Sequence, residues 1–276
     1  MATFFGEVLP IHSRAVDDNE DENVESPSVY FDLDQRYQDV PSLPAYDLVC
    51  VATGIAPSIF VQCYLVPDAH QVLGTIRLNP TKQQDSSNDP SGGVWGLDYS
   101  RRTDVLGKLV HYSGHGAGVL YCLCDKEIPF ESCAPIARHF VELSKSPRVT
   151  SVSFAALPAS DYKSKGRPEF PLLRQLRTFG SARNGTEEVI PDLETPNTVS
   201  GMCAAMLTEC EVGDMPGTLF VLYTDTPEVD STVVRALEPT LRLNCLQALN
   251  QPLDNCRNEL LRRVRDAKID RGYLYF

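Results

Sequence analysis

Short apolar runs alternate with amphipathic stretches along most of the chain. Five runs have the length and the β-branched or aromatic enrichment that strands favour: residues 48–53, 72–78, 119–124, 149–156 and 218–224. Four stretches repeat apolar residues three or four positions apart, as one helix face requires: residues 133–144, 199–210, 229–248 and 253–269. Gly54 and Pro57 follow the first strand and predict a turn and another helix start. This alternation predicts an α/β fold, a layered sandwich with a central β-sheet flanked by helices.

The negative charge of the chain is concentrated near its beginning. The net charge is -12, and the segment from Asp17 to Asp47 holds ten carboxylates and one base, Arg36, so it carries -9 and the rest only -3. We therefore predict an acidic, largely disordered leader over residues 11–45, after a short apolar arm at 1–10. The α/β domain is predicted over 46–271, and an extended tail over 272–276.

The charge distribution and the apolar runs exclude two classes of partner. Neither the leader nor the nearly neutral body has the basic stripe that a phosphate backbone requires, so we expect no nucleic-acid binding. Residues 48–67 carry no charge, but Gly54 and Pro57 interrupt them and Asp47 and Asp68 flank them, so we expect no membrane insertion.

Nine cysteines are scattered along the chain without a Cys-x-x-Cys motif. Their odd number and apolar surroundings favour free thiols in a reducing compartment, and we predict a cytoplasmic protein. Cys122 and Cys124 lie near His111 and His115, which raises the question of zinc. We expect the two thiols to point to opposite faces of their strand, and no second ligand pair follows, so no metal site is predicted.

One glycine-rich run resembles part of an active site. His111 precedes Gly114-His115-Gly116-Ala117-Gly118, which is similar to the oxyanion-hole loop of some α/β hydrolases. The nucleophile motif Gly-x-Ser-x-Gly is absent, and such an enzyme would have to use Ser113 or Ser181 unconventionally. We interpret the glycines as a turn that enters the strand at Val119. Walker and dinucleotide fingerprints are also absent, so we expect no cofactor and no enzyme activity.

The two ends of the chain have features suited to binding another protein. The last three residues, Leu274, Tyr275 and Phe276, present an apolar side chain, a phenol ring and a carboxylate in order, just after Gly272, where a helix is expected to end. A pocket with apolar walls and a lysine at its mouth would suit this tail. At the other end, Thr3-Phe4-Phe5-Gly6-Glu7 forms a short apolar arm.

Four ordered motifs lie between these ends: Asp161-Tyr162-Lys163, Pro171-Leu172-Leu173-Arg174-Gln175-Leu176-Arg177, Pro196-Asn197 leading to Ala204-Ala205, and Leu222-Tyr223-Thr224-Asp225. Together with both ends, they resemble the proteasome assembly chaperone 1 family over essentially the whole chain. The resemblance is weakest between about residues 74 and 109, and the polar loop at 79–93 has no evident counterpart.

The resemblance implies a chaperone of the 20S proteasome α-ring that acts as a heterodimer with proteasome assembly chaperone 2. It would hold α-type subunits and prevent off-pathway association of α-rings, in the cytoplasm and in contact with the endoplasmic reticulum or nucleus. Leu274, Tyr275 and Phe276 match the family's terminal tripeptide and would enter a pocket between adjacent α subunits. The arm Thr3-Phe4-Phe5-Gly6-Glu7 would contact the ring or the partner, or pack on its own domain. Two alternatives are a divergent α/β hydrolase and a regulator that binds mature proteasomes.

Overall fold

The computed structural model describes residues 29–34, 46–78, 105–114, 117–143, 149–164, 166–183, 190–226 and 228–272. Its strands are β1 (Val29–Leu33), β2 (Leu48–Thr53), β3 (Gln71–Leu78), β4 (Val105–Gly114), β5 (Ala117–Cys124), β6 (Thr150–Pro158), β7 (Leu172–Arg177) and β8 (Gly217–Thr224). Its α-helices are α1 (Ile55–Tyr64), α2 (Phe130–Leu143), α3 (Phe179–Arg183), α4 (Met202–Val212), α5 (Ser231–Arg235), α6 (Asn244–Gln247) and α7 (Leu253–Gly272). Short 3-10 segments lie at Ala159–Asp161 and Glu238–Arg242.

One mixed sheet contains all eight strands in the order β1-β3-β4-β5-β2-β6-β8-β7. The four central strands, β5, β2, β6 and β8, run parallel, and the outer strands pair antiparallel. In the middle of β2, Val51 lies between Cys122 of β5 and Ser153 of β6. Because both faces of β2 are covered, its residues from Leu48 to Ala52 are all buried, which explains the uninterrupted apolar run.

A separate hydrophobic cluster covers each face of the sheet. On one face, α1, α5, α6 and α7 pack over Phe60, Phe154 and Phe220, whose neighbouring rings are each 5.5 Å apart. On the other face, α2 and α4 contribute Phe140 and Met206. This arrangement confirms the predicted layered α/β sandwich. No helix among the described residues is long and apolar enough to cross a membrane.

All five predicted strands are present, but β4 and β7 were not predicted. β4 contains Gly107, Lys108 and His111, which break a simple apolar alternation. Its strand character comes from long-range pairing, since it lies between β3 and β5. The basic residues of β7 hide its strand pattern in the same way. The glycine-rich run lies where β4 turns into β5, with Gly114 paired to Ala117, as the interpretation of a turn requires.

β1 lies in the part of the chain that sequence analysis assigns to the leader, where no strand is predicted. Val29, Phe31 and Leu33 alternate with Tyr30 and Asp32, which is the period of a strand with one buried face. The Phe31 ring stacks on His139 at 5.3 Å, and Asp32 forms a 2.9 Å ion pair with Arg77 of β3. These contacts hold the segment at the edge of the sheet. The other residues of the leader, and the loop predicted at 79–93, lie outside the described residues.

The helix predicted over 229–248 is wrong. This stretch forms α5, the 3-10 segment Glu238–Arg242 and α6. Pro239 lacks an amide hydrogen and so cannot donate the hydrogen bond that would continue an α-helix from α5; it lies in the first turn of the 3-10 segment instead. The other predicted helices are present as α2, α4 and α7.

Candidate interaction surface

The residues of the hydrolase alternative do not form a catalytic arrangement in the described part of the chain. Ser181 is buried, with its Oγ 3.1 Å from Thr218 Oγ1, and no described histidine is hydrogen-bonded to Ser113 or Ser181. His111 is also buried, its ring at 5.4 Å from that of Tyr46, and burial lowers its pKa. A serine nucleophile needs an adjacent base, so these positions do not support acyl transfer. His115 lies outside the described residues.

The expected geometry of Cys122 and Cys124 is wrong. Residues two positions apart on a strand share a face, and the two Sγ atoms lie 3.6 Å apart within the core. Hydrogen bonding to Cys124 and burial both raise the pKa of Cys122, which disfavours the thiolate that a metal would bind. The described residues contain no group of three or more histidine, cysteine or carboxylate side chains that could hold a metal ion.

Three of the four internal motifs meet at one corner of the sheet, which we call the Tyr162 corner: Tyr162, Arg174, Glu194 and Asn197. The Tyr162 hydroxyl donates to Glu194 Oε1, and Arg174 Nε donates to Glu194 Oε2 at 3.0 Å. The Arg174 guanidinium lies 5.7 Å from the centre of the Tyr162 ring. Asn197 accepts from the Lys163 amide at 2.6 Å and donates to the Lys163 carbonyl at 3.1 Å.

The fourth motif contributes the Tyr223 ring, whose centroid is 4.9 Å from that of Tyr162. The charges of this corner are satisfied internally. Burial acts to raise the pKa of Glu194, but hydrogen bonds from Tyr162, its own backbone and Arg174, with the Arg174 charge, lower it to about 2. Burial and the bond to Glu194 raise the pKa of Tyr162. Tyr162 therefore remains a neutral donor and Glu194 an anion at neutral pH.

The Tyr162 corner also closes the outer edge of β7. The Gln175 amide donates to the Pro191 carbonyl at 3.0 Å, and the Leu193 amide donates back to Gln175 at 2.8 Å. Arg177 adds a 3.2 Å ion pair with Asp192. An edge strand covered in this way is unavailable for pairing with another chain. We therefore assign these motif residues a structural role.

α7 is the element that leads towards the end of the chain. Cys256, Leu260 and Val264 point inward from three successive turns and pack in the cluster beside α1. Arg263 Nη1 donates to Gln62 Oε1 of α1. On the solvent side of this contact, Arg263 and Arg262 both pair with Glu259. α7 is thus attached to the body by an apolar stripe and by polar contacts beside it.

The described part of α7 extends to Gly272, the residue where the sequence predicts that the helix ends, and that prediction stays untested. Ala267 packs against the core, and Gly272 is about 8 Å further along the axis at roughly 1.5 Å per residue. Leu274, Tyr275 and Phe276 lie outside the described residues, and so do Thr3, Phe4, Phe5, Gly6 and Glu7. The structure therefore describes the helix before the tail, but not the tail or the arm.

Comparison with solved structures identifies the fold. Pyrococcus furiosus PbaB, described as an archaeal proteasome activator, matches with a TM-score of 0.54 and 10% identity over 89% of this chain and 98% of that chain. Pyrococcus furiosus PbaA, described as an archaeal homolog of proteasome-assembly chaperone, matches with a TM-score of 0.50 and 14% identity over 90% and 99%. At these identities the similarity shows a shared fold.

Sequence comparison then identifies the family. A family model labelled PAC1, with the description Proteasome assembly chaperone 4, matches residues 95–275. The chain belongs to the PAC1 family. Proteasome assembly chaperone 1 of Xenopus tropicalis is 28% identical over 98% of both chains. The human protein of the same name is 36% identical over 42% of this chain and 40% of its own length. The resemblance predicted from the sequence motifs is therefore confirmed.

The sequence motifs of this PAC1-family chain indicate Tyr162 and Arg174 but not their shared partner, Glu194. Glu194 lies two residues before Pro196-Asn197 in a stretch without periodicity, so its sequence context gives no signal. The sequence feature that points to this region is Asn197, because an asparagine that follows proline is typical of a turn whose side chain hydrogen-bonds to neighbouring backbone groups. This turn positions Glu194, whose carbonyl accepts from Asn197 Nδ2 at 2.8 Å.

Proposed function

We propose that this chain promotes assembly of the 20S proteasome α-ring as one half of a heterodimer with proteasome assembly chaperone 2. In this role it holds α-type subunits and prevents off-pathway association of α-rings, and it is not an enzyme. The observation that carries the proposal is membership of the PAC1 family, with a named proteasome assembly chaperone 1 aligned over 98% of both chains. We place this activity in the cytoplasm.

The proposed docking element is the tail Leu274-Tyr275-Phe276. Leu274 fills apolar space in a pocket between adjacent α subunits, Tyr275 stacks and donates its hydroxyl, and the Phe276 carboxylate pairs with a pocket lysine. Two observations support this role: the family match continues to residue 275, and the described part of α7 leads to Gly272, directly before the tail. A tail of this size gives modest affinity alone, but its attachment to a bound body raises its effective concentration.

The arm Thr3-Phe4-Phe5-Gly6-Glu7 is proposed as a second contact with the ring or with the partner chaperone. The domain at 46–271 would then lie between two short binding segments, the arm at 1–10 and the tail at 272–276. The leader at 11–45 separates the arm from the domain. The alternative, in which the arm packs on its own domain, predicts that its deletion lowers the melting temperature and leaves the set of bound proteins unchanged.

Affinity purification of three chains tests the proposal: the full chain, a chain lacking Leu274-Tyr275-Phe276, and a chain with one glycine added after Phe276. The added glycine keeps every side chain of the tail but displaces its carboxylate, so it separates the terminal charge from the side chains. Bound proteins are identified by mass spectrometry and sized by sedimentation. We expect the full chain to recover a second chaperone and α-type subunits in complexes smaller than the mature particle.

Each result has a defined meaning. Both altered chains should keep the second chaperone and lose most of the α-type subunits. Loss of both partners would contradict the separate role of the tail. Recovery of mature particles alone would favour a regulator of finished proteasomes, and recovery of no proteasome subunit by the full chain would refute the assembly function.

A further inference from the structure

One flank of α7 combines exposed leucines with arginines that pair with none of the described residues. We call Leu253, Arg257, Leu261, Arg265 and Lys268 the basic flank; they follow one another at intervals of four or three residues and so lie along one side of the helix. Leu253 and Leu261 are 49% and 56% exposed, and they are two of the seven exposed large hydrophobic side chains in the described part of the chain. They give this side of the helix an apolar component beside its positive charges.

The charges of the basic flank are available to a partner. Within the described residues, Arg257, Arg265 and Lys268 form no ion pair or side-chain hydrogen bond. Arg262 and Arg263 differ, because both are engaged by Glu259. The opposite flank of α7, with Glu259 and Arg263, borders a groove against Val72 and Lys108. The unpaired cations therefore all lie on the side of α7 away from that groove.

The basic flank leads directly to the tail. Lys268 is about 6 Å along the helix from Gly272, and Arg265 about 10 Å, at roughly 1.5 Å per residue. The four residues after Gly272 span at most about 14 Å. A protein that grips the tail is therefore held within reach of the basic flank at high effective concentration, so a weak second contact there would add to affinity.

We propose that the basic flank of α7 binds an acidic, partly apolar surface on the α-type subunit that receives the tail. This inference rests on the proposed function and names the chemistry of its second contact. Arg257, Arg265 and Lys268 provide attraction that salt screens, and Leu261 provides an apolar contact that salt does not weaken. The contact would align α7 on the ring and fix the direction from which the tail enters its pocket.

The test compares two kinds of variant in the full chain, produced together with its partner chaperone. Arg257→Glu with Arg265→Glu reverses the charge of the flank, and Leu261→Ser removes its apolar centre. The matched control, Arg138→Glu with Arg167→Glu, makes the same change in net charge on α2 and on an exposed loop. Affinity for α-type subunits is measured at about 0.05 M and about 0.5 M salt, where the Debye length is roughly 14 Å and roughly 4 Å.

We expect the charge reversal to weaken binding at least about tenfold at low salt and by less than about twofold at high salt. Leu261→Ser should weaken it about three- to tenfold at both salt concentrations, and the control pair should have no effect. Melting temperatures verify folding. If the reversed chain is destabilised, the neutral pair Arg257→Gln with Arg265→Gln takes its place. We then expect a smaller loss of affinity, again larger at low salt than at high salt.

The outcomes separate this inference from the proposed function. If deletion of the tail abolishes binding while the charge reversal behaves as the control, the basic flank is not a ring contact and the function stands. If the reversal instead releases the partner chaperone, the flank belongs to the heterodimer interface and the inference is wrong. If the unmodified chain binds no α-type subunit at all, both fail.

Discussion

Replacing Leu260 by alanine tests whether the buried face of α7 holds the helix, and with it the tail, on the body of the protein. Leu260 is 1% exposed and lies in the cluster that α1 and α7 share. The next residue, Leu261, is 56% exposed on the basic flank. The two substitutions have the same chemistry and nearly the same position in the helix, so Leu261→Ala is a matched control for the effect of Leu260→Ala on stability.

The expected magnitudes follow from burial. Leu→Ala removes three carbons, which at about 0.8 kcal/mol per buried methylene lowers the free energy of unfolding by about 2.4 kcal/mol at Leu260. The cavity left in the core adds to this, so the total is about 2 to 5 kcal/mol. At Leu261 less than half of the side chain is buried and no cavity forms, so the loss is at most about 1 kcal/mol.

Urea denaturation measures the global change, and amide hydrogen exchange along α7 measures local detachment. Leu260→Ala should speed exchange in α7 more than in β2, because the helix loses its anchor while the sheet remains. It should also weaken binding of α-type subunits by presenting the tail less firmly. Equal effects of the two substitutions on stability, or unchanged exchange in α7 of Leu260→Ala, would refute the assignment of α7 as an anchored support.

Two further predictions concern other parts of the sheet. Burial lowers the pKa of His111 below its ordinary value of 6.5, so as the pH drops below about 6.5 the unfolded chain binds the proton first and the free energy of unfolding should fall. Urea titrations at several pH values measure this dependence of stability on pH, and His111→Gln should reduce it. An unchanged pH dependence in His111→Gln would contradict the prediction. A Cβ on Gly74 would lie 2.4 Å from the Asp32 carbonyl oxygen, so Gly74→Ala should detach β1 from β3 and speed amide exchange in β1. The control is Gly166→Ala, whose Cβ would meet nothing within 4 Å and which should change the free energy of unfolding by less than about 0.5 kcal/mol. Slow exchange in β1 of Gly74→Ala would count against the observed pairing of β1 with β3.

Local patterns predict the elements whose structure depends on their own residues. The strand at Leu48–Thr53 is buried on both faces, so its apolar run is unmistakable, and α7 shows the three- and four-residue spacing of apolar positions that a helix requires. β4 and β7 were missed because their strand character comes from neighbours far along the chain. The same limit applies to strand order, since no local signal indicates that β2 lies between β5 and β6.

Of the candidate binding residues, the sequence alone predicts only those that form a recognisable motif. The terminal tripeptide is a compact motif and needs no fold to be recognised. The basic flank of α7 is different, because Leu253 and Leu261 fit an apolar helix position as well as an exposed one. The apolar spacing over residues 253–269 does not separate Leu253 and Leu261, which are about half exposed, from Leu260, which is buried. Only the packing of α7 against α1 decides which leucines face the solvent.

The pairing of α7 with α1 has a consequence for how the protein is made. Cys256 and Leu260 pack beside a helix that leaves the ribosome about 200 residues earlier, since the contact between Gln62 and Arg263 spans 201 positions. This contact cannot form until the last helix has been synthesised. During synthesis α1 therefore has no cover on this side until the last helix is complete. The helix that precedes the C-terminal tail is therefore anchored only in molecules whose sheet and helices are already assembled.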